Sequence, residues 1–220
     1  MIKENRTKTT QIDNIDVIDI DVNNFKFSDK VILKNIKIKA SKGDTFLIKG
    51  TNGSGKTTLL KIITNIYNDF DGYININGIN INDITNLYDK ILYISQNDCF
   101  IETTLKSYLL ELSKNDISDN QISNLLDKLN LDLSLDTKID LSGNNLSGGQ
   151  KKKLQLLRLL LSYDSYDFII LDEVDAGLDQ KSLVIYNQII DKIIESNKIL
   201  FIVTHSNCLE IKPDKIIDLD

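Results

Sequence analysis

The sequence has few of the residues that bind metal ions or form disulfides. It contains two cysteines, Cys99 and Cys208, and a single histidine, His205. The two cysteines are far apart and match no spacing that is typical of a metal or redox motif. This composition excludes a zinc site built from histidine and cysteine. We expect both cysteines to be small buried residues of a reduced protein.

The chain also lacks long apolar runs. None approaches the roughly 18 to 20 residues that a membrane-spanning helix needs. The polar segment 1–10 has no apolar stretch of the kind found in signal peptides. We therefore expect a cytoplasmic chain that reaches a membrane only through a partner. Because the formal net charge is -6, direct binding to nucleic acid is not expected.

The pattern of apolar residues differs between the N-terminal third of the 220 residues and the rest of the chain. In the N-terminal third, apolar and polar residues alternate over 15–27 and 33–40, and segment 73–82 predicts a hairpin around Asn77-Gly78. Further along, short apolar strands alternate with helices, which indicates a parallel sheet covered on both faces. The predicted strands of this sheet are 45–50, 91–95, 168–172, 199–204 and 215–219, and the predicted helices are 56–66, 148–161 and 180–195.

The segment from about 97 to 145 has helical periodicity and no convincing strand. It predicts a helical subdomain inserted into the rest of the chain. Residues 1–13 are predicted to form a polar tail or linker, which leaves 14–220 as one domain. The predicted fold class is therefore α/β, with a mostly parallel sheet, an antiparallel N-terminal subdomain and an inserted helical subdomain.

A glycine-rich turn, GTNGSGKTT, follows one predicted strand and begins a predicted helix. It matches G-x-x-x-x-G-K-S/T, a loop whose backbone N–H groups and helix N-terminus surround an anionic phosphate. Lys56 is predicted to reach the β- and γ-phosphates of a nucleotide, and the Thr57 hydroxyl to bind Mg²⁺. The candidate binding residues of this turn are Gly50, Asn52, Gly53, Ser54, Gly55, Lys56, Thr57 and Thr58.

A pair of carboxylates, Asp172 and Glu173, follows the apolar strand FIIL. Because ligands of open α/β sheets bind at the C-terminal edge of the strands, the pair is predicted to lie beside the glycine-rich turn. Asp172 is predicted to hold Mg²⁺ through water, and Glu173 to act as the general base on the attacking water.

A second anion-binding helix start occurs at LSGGQ, residues 146–150. Ser147, Gly148 and Gly149 would present a hydroxyl and free N–H groups at the start of a helix. The pentapeptide resembles the signature motif of ATP-binding cassette (ABC) proteins, which have a P-loop NTPase core. The resemblance implies that Ser147, Gly148, Gly149 and Gln150 of one subunit cap the ATP on the glycine loop of another, so that two subunits enclose two nucleotides.

The resemblance extends over nearly the whole chain from about residue 15. It implies that Gln96 senses Mg²⁺ and faces a membrane partner, and that Asp179 in AGLD contacts the opposite subunit. It further implies that His205 contacts the γ-phosphate and that Phe27 stacks on adenine, with Phe25 as the other candidate. Lys56, Gln96, Glu173 and His205 are thus the expected catalytic residues, and Thr57, Gln96 and Asp172 the expected metal ligands.

One part of the sequence, just before Leu178 and Asp179, fits the family pattern less closely. Ala176 and Gly177 stand where the family usually has serine and alanine before Leu-Asp, which is expected to soften the coupling between sites. Separately, the three lysines Lys151, Lys152 and Lys153 after the signature are predicted to be solvated on a helix face, with a minor role in attracting ATP as the alternative.

The segment that leads into the signature motif is similar to the corresponding segment of ABC exporters. TKIDLSGNNLSGGQ resembles the exporter segment T-x-V-G-E-x-G-x-x-L-S-G-G-Q, although Leu141 replaces its glutamate. We therefore expect a domain that binds ATP and Mg²⁺ and pairs with a second ABC domain as a homo- or heterodimer. The pair is expected to drive a transmembrane domain, fused or separate, that exports peptides or bacteriocins. The alternatives are a non-transport ATPase that regulates a nucleic-acid or ribosomal partner, and an inactive ATP-binding scaffold.

Overall fold

The computed structural model describes residues 9–96, 100–113, 117–204 and 212–220. In these ranges the strands are β1 (Val17–Phe27), β2 (Lys30–Ser41), β3 (Thr45–Lys49), β4 (Asp71–Ile76), β5 (Ile79–Asn80), β6 (Ile91–Ile94), β7 (Thr103–Thr104), β8 (Lys138–Ile139), β9 (Phe168–Asp172), β10 (Ile199–Val203) and β11 (Lys215–Asp218). The helices are α1 (Lys56–Ile63), α2 (Leu105–Leu112), α3 (Asp119–Lys128), α4 (Gly148–Ser162) and α5 (Gln180–Glu195).

A parallel sheet with strand order β11-β3-β10-β9-β6 lies at the centre of the molecule. Every residue of β9 and of β10 is buried. Phe168 and Ile170 of β9 belong to a core shared with α1 and the antiparallel sheet, whereas Ile169 and Leu171 belong to a core shared with α4 and α5. Burial on both faces explains why these strands are continuous apolar runs, and the predicted parallel sheet is confirmed.

The antiparallel sheet, with strand order β2-β1-β4-β5, confirms the alternation in the N-terminal third. The predicted hairpin turn has φ of 52° at Asn77 and 81° at Gly78, as a tight two-residue turn requires. Asn77 Oδ1 also accepts hydrogen bonds of 3.0 Å from the N–H groups of Asp16 and Val17. This asparagine therefore joins the hairpin to the beginning of β1.

Helix α1 is shorter than the predicted 56–66 and ends at Ile63. The Thr64 hydroxyl donates to the carbonyl oxygen of Leu60 at 2.9 Å, and Asn65 has a left-handed φ of 59°. A left-handed residue, usually glycine and sometimes asparagine, commonly ends a helix. The periodicity of apolar residues gives no signal for such an end.

Segment 100–145 contains α2 and α3 and also two strands that the sequence did not predict. Thr103 and Thr104 of β7 pair antiparallel with Ile139 and Lys138 of β8. A strand of two residues is too short to have a period, so the pattern of apolar residues could not reveal it. Among the described residues, no helix is long and apolar enough to cross a membrane.

Residues 9–13 of the predicted polar tail lie against the segment that follows β5. Thr10 forms a parallel bridge with Ile84, and the Ile12 N–H donates to Asn86 Oδ1 at 3.0 Å. The Ile12 side chain is buried in the core. The division of the chain into a tail and a domain with an inserted subdomain stays a prediction.

Candidate functional site

The glycine-rich turn connects the end of β3 to the N-terminus of α1. Gly50, Gly53 and Gly55 have φ values of 145°, 87° and 102°. A Cβ atom on Gly55 would lie 2.8 Å from Leu33 Cδ2, and one on Gly50 would lie 2.3 Å from Ser54 Oγ. At Gly53 a Cβ atom would meet nothing within 4 Å. The positive φ values favour glycine at all three positions, and at Gly50 and Gly55 a larger residue would also displace a neighbouring side chain.

Lys56 lies at the first turn of α1 with its side chain folded back over the loop. Its ammonium donates to the carbonyl oxygens of Gly50 at 2.8 Å and Thr51 at 2.9 Å. The residue is only 6% exposed. A positive charge is thus held at the loop, where successive N–H groups also favour an anion.

The remaining loop residues differ in exposure. Asn52 and Thr57 are exposed, whereas Ser54 and Thr58 are half-buried. The buried Ser54 Oγ has no hydrogen-bond partner within the described ranges. A polar atom of this kind is available to a ligand that enters the loop.

Asp172, the last residue of β9, faces the glycine-rich turn. Its Oδ2 accepts hydrogen bonds from the Thr57 hydroxyl at 2.9 Å and the Tyr93 hydroxyl at 3.2 Å. Its Oδ1 is buried and has no partner among the described residues. Burial raises the pKa of the Asp172 carboxyl above its ordinary value, while the hydrogen bonds from Thr57 and Tyr93 act in the opposite direction. Sequence reasoning missed Tyr93, although its place in the strand just before Gln96 could have suggested it.

The side chains of Gln96 and Glu173 are joined by a hydrogen bond. Gln96 Nε2 donates to Glu173 Oε2 at 2.6 Å, although the two residues follow different strands, β6 and β9. The strands are neighbours in the parallel sheet, so their C-terminal ends meet at the same edge. Glu173 also has a left-handed φ of 54°, which costs a residue with a side chain about 1–2 kcal/mol. Strained backbone of this kind often occurs at functional sites.

The LSGGQ segment forms the N-terminus of α4 with a complete capping box. Ser147 Oγ accepts from the Gln150 N–H at 3.2 Å, and Gln150 Oε1 accepts from the Ser147 N–H at 2.8 Å. Gly148 and Gly149 are exposed, and a Cβ atom on either would meet nothing within 4 Å. Glycine weakens a helix relative to alanine, so packing within the described chain gives no reason for two glycines here.

Asp179 is the N-cap of α5 and carries two contacts. Its carboxylate accepts from the Ser182 N–H at 2.8 Å and pairs with the Lys153 ammonium at 3.0 Å. These hydrogen bonds, first that from the Ser182 backbone, lower the pKa of Asp179 from 3.8 to about 2. Gly177, two residues before it, has φ of 80° and open space beside it. Asp179 therefore remains ionised and joins the start of α5 to α4.

The two candidate aromatics at the end of β1 differ in exposure. Phe25 is 7% exposed and stacks on Tyr67, with ring centroids 5.7 Å apart. Phe27 is 63% exposed. Phe27 is therefore the one of the two whose ring is open to a ligand.

Three residues singled out from the sequence lie outside the described ranges. They are His205, which the family pattern places beside the γ-phosphate, and the two cysteines, Cys99 and Cys208.

The prediction that the lysine run is solvated on a helix face is wrong. All three lysines are half-buried, and each ammonium donates to a backbone carbonyl oxygen: Lys151 to Ser142 at 3.1 Å, Lys152 to Gln96 and Glu173 at 3.4 and 3.3 Å, and Lys153 to Asn130 at 3.1 Å. Their long side chains reach segments that are distant in sequence, which a pattern along one helix does not report.

The residues around Asp172 are of the type that binds Mg²⁺. A free carboxylate oxygen, a neighbouring hydroxyl at Thr57 and the carboxamide of Gln96 are oxygen donors, which Mg²⁺ prefers. The glycine-rich turn, the helix N-terminus and the Lys56 ammonium next to them suit a nucleotide phosphate. The described residues therefore fit Mg-ATP.

Comparison with known proteins agrees with this geometry. The profile of the ABC transporter family matches residues 33–176. The chain is 38% identical over 164 residues to the microcin-J25 export ATP-binding/permease protein McjD of Escherichia coli, an alignment that covers 70% of this chain and 28% of that protein. It is 31% identical over 214 residues to a candidate multidrug export ATP-binding/permease protein of Staphylococcus aureus (strain NCTC 8325 / PS 47), with 92% of this chain and 36% of that protein covered.

The fold is also that of a solved exporter. The structure of a bacterial Atm1-family ABC exporter with ATP bound superposes with a TM-score of 0.78 at 19% identity, and the superposition covers 98% of this chain and 40% of that one. The fold and the phosphate-binding loop thus define an ATPase domain of the α/β class. The chain belongs to the ABC transporter family. It spans about a third of the length of the two relatives.

Proposed function

We propose that this chain hydrolyses Mg-ATP between two ABC domains and thereby drives an exporter in a membrane. Lys56 and the loop 50–58 bind the phosphates, and Thr57, Asp172 and Gln96 hold Mg²⁺. The bound Mg²⁺ would neutralise charge on the phosphates. Phe27 stacks on the adenine, and His205 contacts the γ-phosphate.

Glu173 is the general base in this proposal. Its carboxylate accepts a hydrogen bond of 2.6 Å from Gln96, and it follows the strand that ends in the proposed Mg²⁺ ligand Asp172. A carboxylate at this edge can take a proton from water that attacks the γ-phosphate. The residue's strained backbone, with φ of 54°, supports a functional rather than a structural reason for its position.

The two glycines at the start of α4 are the observation that supports a head-to-tail dimer. Gly148 and Gly149 weaken α4 and leave open space that their own chain does not fill. A phosphate from a second subunit's ATP would fill that space and accept hydrogen bonds from the free N–H groups. ATP would then join two subunits and ADP would not, so that hydrolysis separates the pair.

A groove between α2 and α4 is the proposed contact for the membrane part. It has a volume of about 310 Å³ and is lined by Ile101, Tyr108 and Leu112, with the charges of Glu111 and Arg158. Ile101 is 52% exposed. Both relatives are named as ATP-binding/permease proteins and are about three times longer than their matched segments. A permease segment, fused or separate, is therefore the proposed occupant.

Co-purification with the membrane part tests this contact. Ile101→Asp is expected to reduce recovery of the complex several-fold, because it replaces the exposed apolar side chain at the groove with a charge that a partner would have to bury. Val184→Asp is the matched control, since Val184 is 53% exposed on α5 and does not line the groove. Equal recovery of both variants would remove the groove from the proposal.

ATP hydrolysis by Glu173→Gln tests the catalytic part. The variant is expected to bind Mg-ATP as tightly as the wild-type chain but to lose at least 100-fold in kcat, within the range for loss of a general base. Lys56→Ala is expected to lose binding itself. Turnover at the wild-type rate in Glu173→Gln would show that another group is the base.

A further inference from the structure

Lys152, the second lysine after LSGGQ, contacts the backbone of Gln96 and of Glu173, two residues of the proposed reaction centre. The Lys152 ammonium donates to the carbonyl oxygen of Gln96 at 3.4 Å and to that of Glu173 at 3.3 Å. The two carbonyl groups belong to residues that follow different strands of the parallel sheet. One ammonium on α4 thus joins the ends of β6 and β9.

A second contact from the same face of α4 supports this link. Gln155 lies three residues after Lys152, so the two side chains are neighbours on the helix surface. Gln155 Nε2 donates to the Ser95 carbonyl oxygen at 3.1 Å, and the residue is 3% exposed. The chain segment that carries Gln96 is therefore bonded to α4 at two successive carbonyl groups, those of Ser95 and Gln96.

Glu173 needs such contacts because its backbone is in the left-handed region. Its N–H donates to the Val203 carbonyl oxygen at 2.9 Å, and its carbonyl oxygen accepts from the Ala176 N–H at 3.2 Å as well as from Lys152. A strained residue persists only when its surroundings hold it in place. Lys152 supplies one such contact from α4.

We propose that Lys152 is a positioning residue that holds the backbone of Glu173 and Gln96, so that their side chains meet the attacking water and Mg²⁺ in the correct geometry. The inference rests on the proposed function. Because α4 begins at the signature motif, Lys152 also connects the helix that would receive the partner's phosphate to the hydrolytic residues of its own chain. Closure on the partner's ATP would thereby act on Glu173.

Steady-state ATP hydrolysis by Lys152→Met tests the proposal, with Lys151→Met as the matched control. Lys151 belongs to the same helical turn, but its ammonium donates to Ser142. Lys152→Met is expected to lower kcat about tenfold or more, because small misplacements of reacting groups are costly. KM for ATP should change less than about twofold, since the glycine loop is untouched. Lys152→Arg keeps the donors and should restore most of kcat.

Hydrogen exchange separates this inference from the proposed function. The amides of Glu173 and Ala176 should exchange faster in Lys152→Met than in Lys151→Met, whether or not the chain hydrolyses ATP. If the wild-type chain hydrolysed ATP no faster than Lys56→Ala, the proposed hydrolysis would be contradicted. The hydrogen-exchange rates would then be the test of whether Lys152 holds the backbone. Equal exchange in the two methionine variants, or equal kcat in an active chain, would overturn the inference.

Discussion

The Thr57 hydroxyl donates a hydrogen bond of 2.9 Å to Asp172 Oδ2, across 115 positions of sequence. This contact joins the first turn of α1 to the end of β9, and it leaves the buried Asp172 Oδ1 without a partner among the described residues. A free carboxylate oxygen beside a hydroxyl and a phosphate-binding loop is an arrangement that Mg²⁺ can complete.

Asp172→Asn is expected to remove most of the Mg²⁺ dependence of ATP binding. We expect a loss of about tenfold or more in affinity for Mg-ATP, because a contact to a charged group contributes about 1.5–3 kcal/mol. Affinity for ATP in EDTA should stay nearly unchanged. Calorimetric titration measures both, and Asp167→Asn, just before the other end of β9, is the control. An equal loss with and without Mg²⁺ would contradict the assignment.

We expect Phe27→Ala to weaken ATP binding and Phe25→Ala to lower the stability of the fold. Phe27 is exposed, so its removal should weaken ATP binding by about 1–3 kcal/mol, the usual contribution of one base–aromatic stack, with little change in Tm. Phe25 is buried against Tyr67, so its removal should lower the free energy of unfolding by about 3–5 kcal/mol. Thermal melts and nucleotide titrations distinguish the two, and the opposite pattern would make Phe25 the stacking residue.

Gly149→Ala is expected to stabilise the domain and to inactivate it. Alanine favours a helix over glycine by about 0.5–1 kcal/mol, and 1 kcal/mol corresponds to about 2–4 °C in Tm for a chain of this size. The added methyl group would occupy the space proposed for the partner's phosphate, so ATP hydrolysis should fall at least tenfold. A variant that is more stable and fully active would show that the open space has no functional role.

The capping carboxylate of Asp179 makes part of the stability depend on pH. Because the pKa of Asp179 is lowered from 3.8 to about 2 in the folded chain, its contribution is present above about pH 4 and is lost as the pH falls toward 2. Asp179→Ala should therefore cost about 1 kcal/mol near neutral pH, and less as the pH decreases. Urea unfolding at several pH values measures the difference, and Asp179→Asn, which keeps a cap without the charge, is the control. A difference that does not change with pH would contradict the assignment.

The sequence predicted most of the fold because the apolar patterns and the tertiary structure agree. The strand at 168–172 and the helix at 180–195 were predicted with the bounds that the structure has, since an apolar run that ends in a carboxylate and an amphipathic helix both have clear ends. The pair β7 and β8 was missed because its strands have two residues each. The end of α1 was misplaced because it depends on the left-handed Asn65.

For the site, the sequence predicted which residues share the edge of the sheet but not how they are held. The order of strands and helices is enough to bring Thr57, Asp172, Glu173 and Gln96 together. The contacts of Tyr93 with Asp172 and of Lys152 with Glu173 depend on how neighbouring strands and α4 pack side by side. Such lateral contacts have no period along the chain, so the lysine run was misread as a solvated surface.

The mass of Glu173→Gln in solution, measured by light scattering with Mg-ATP and then with Mg-ADP, tests whether ATP joins two subunits at a two-sided site. We expect a mass twice that of the monomer in Mg-ATP and a monomer in Mg-ADP, because only ATP carries the γ-phosphate that would reach the partner's Ser147 and Gly149. Glu173→Gln combined with Gly149→Asp should bind ATP and remain a monomer, since a carboxylate would repel that phosphate. A monomer in both nucleotides, or a dimer that forms equally with ADP, would contradict the two-sided site.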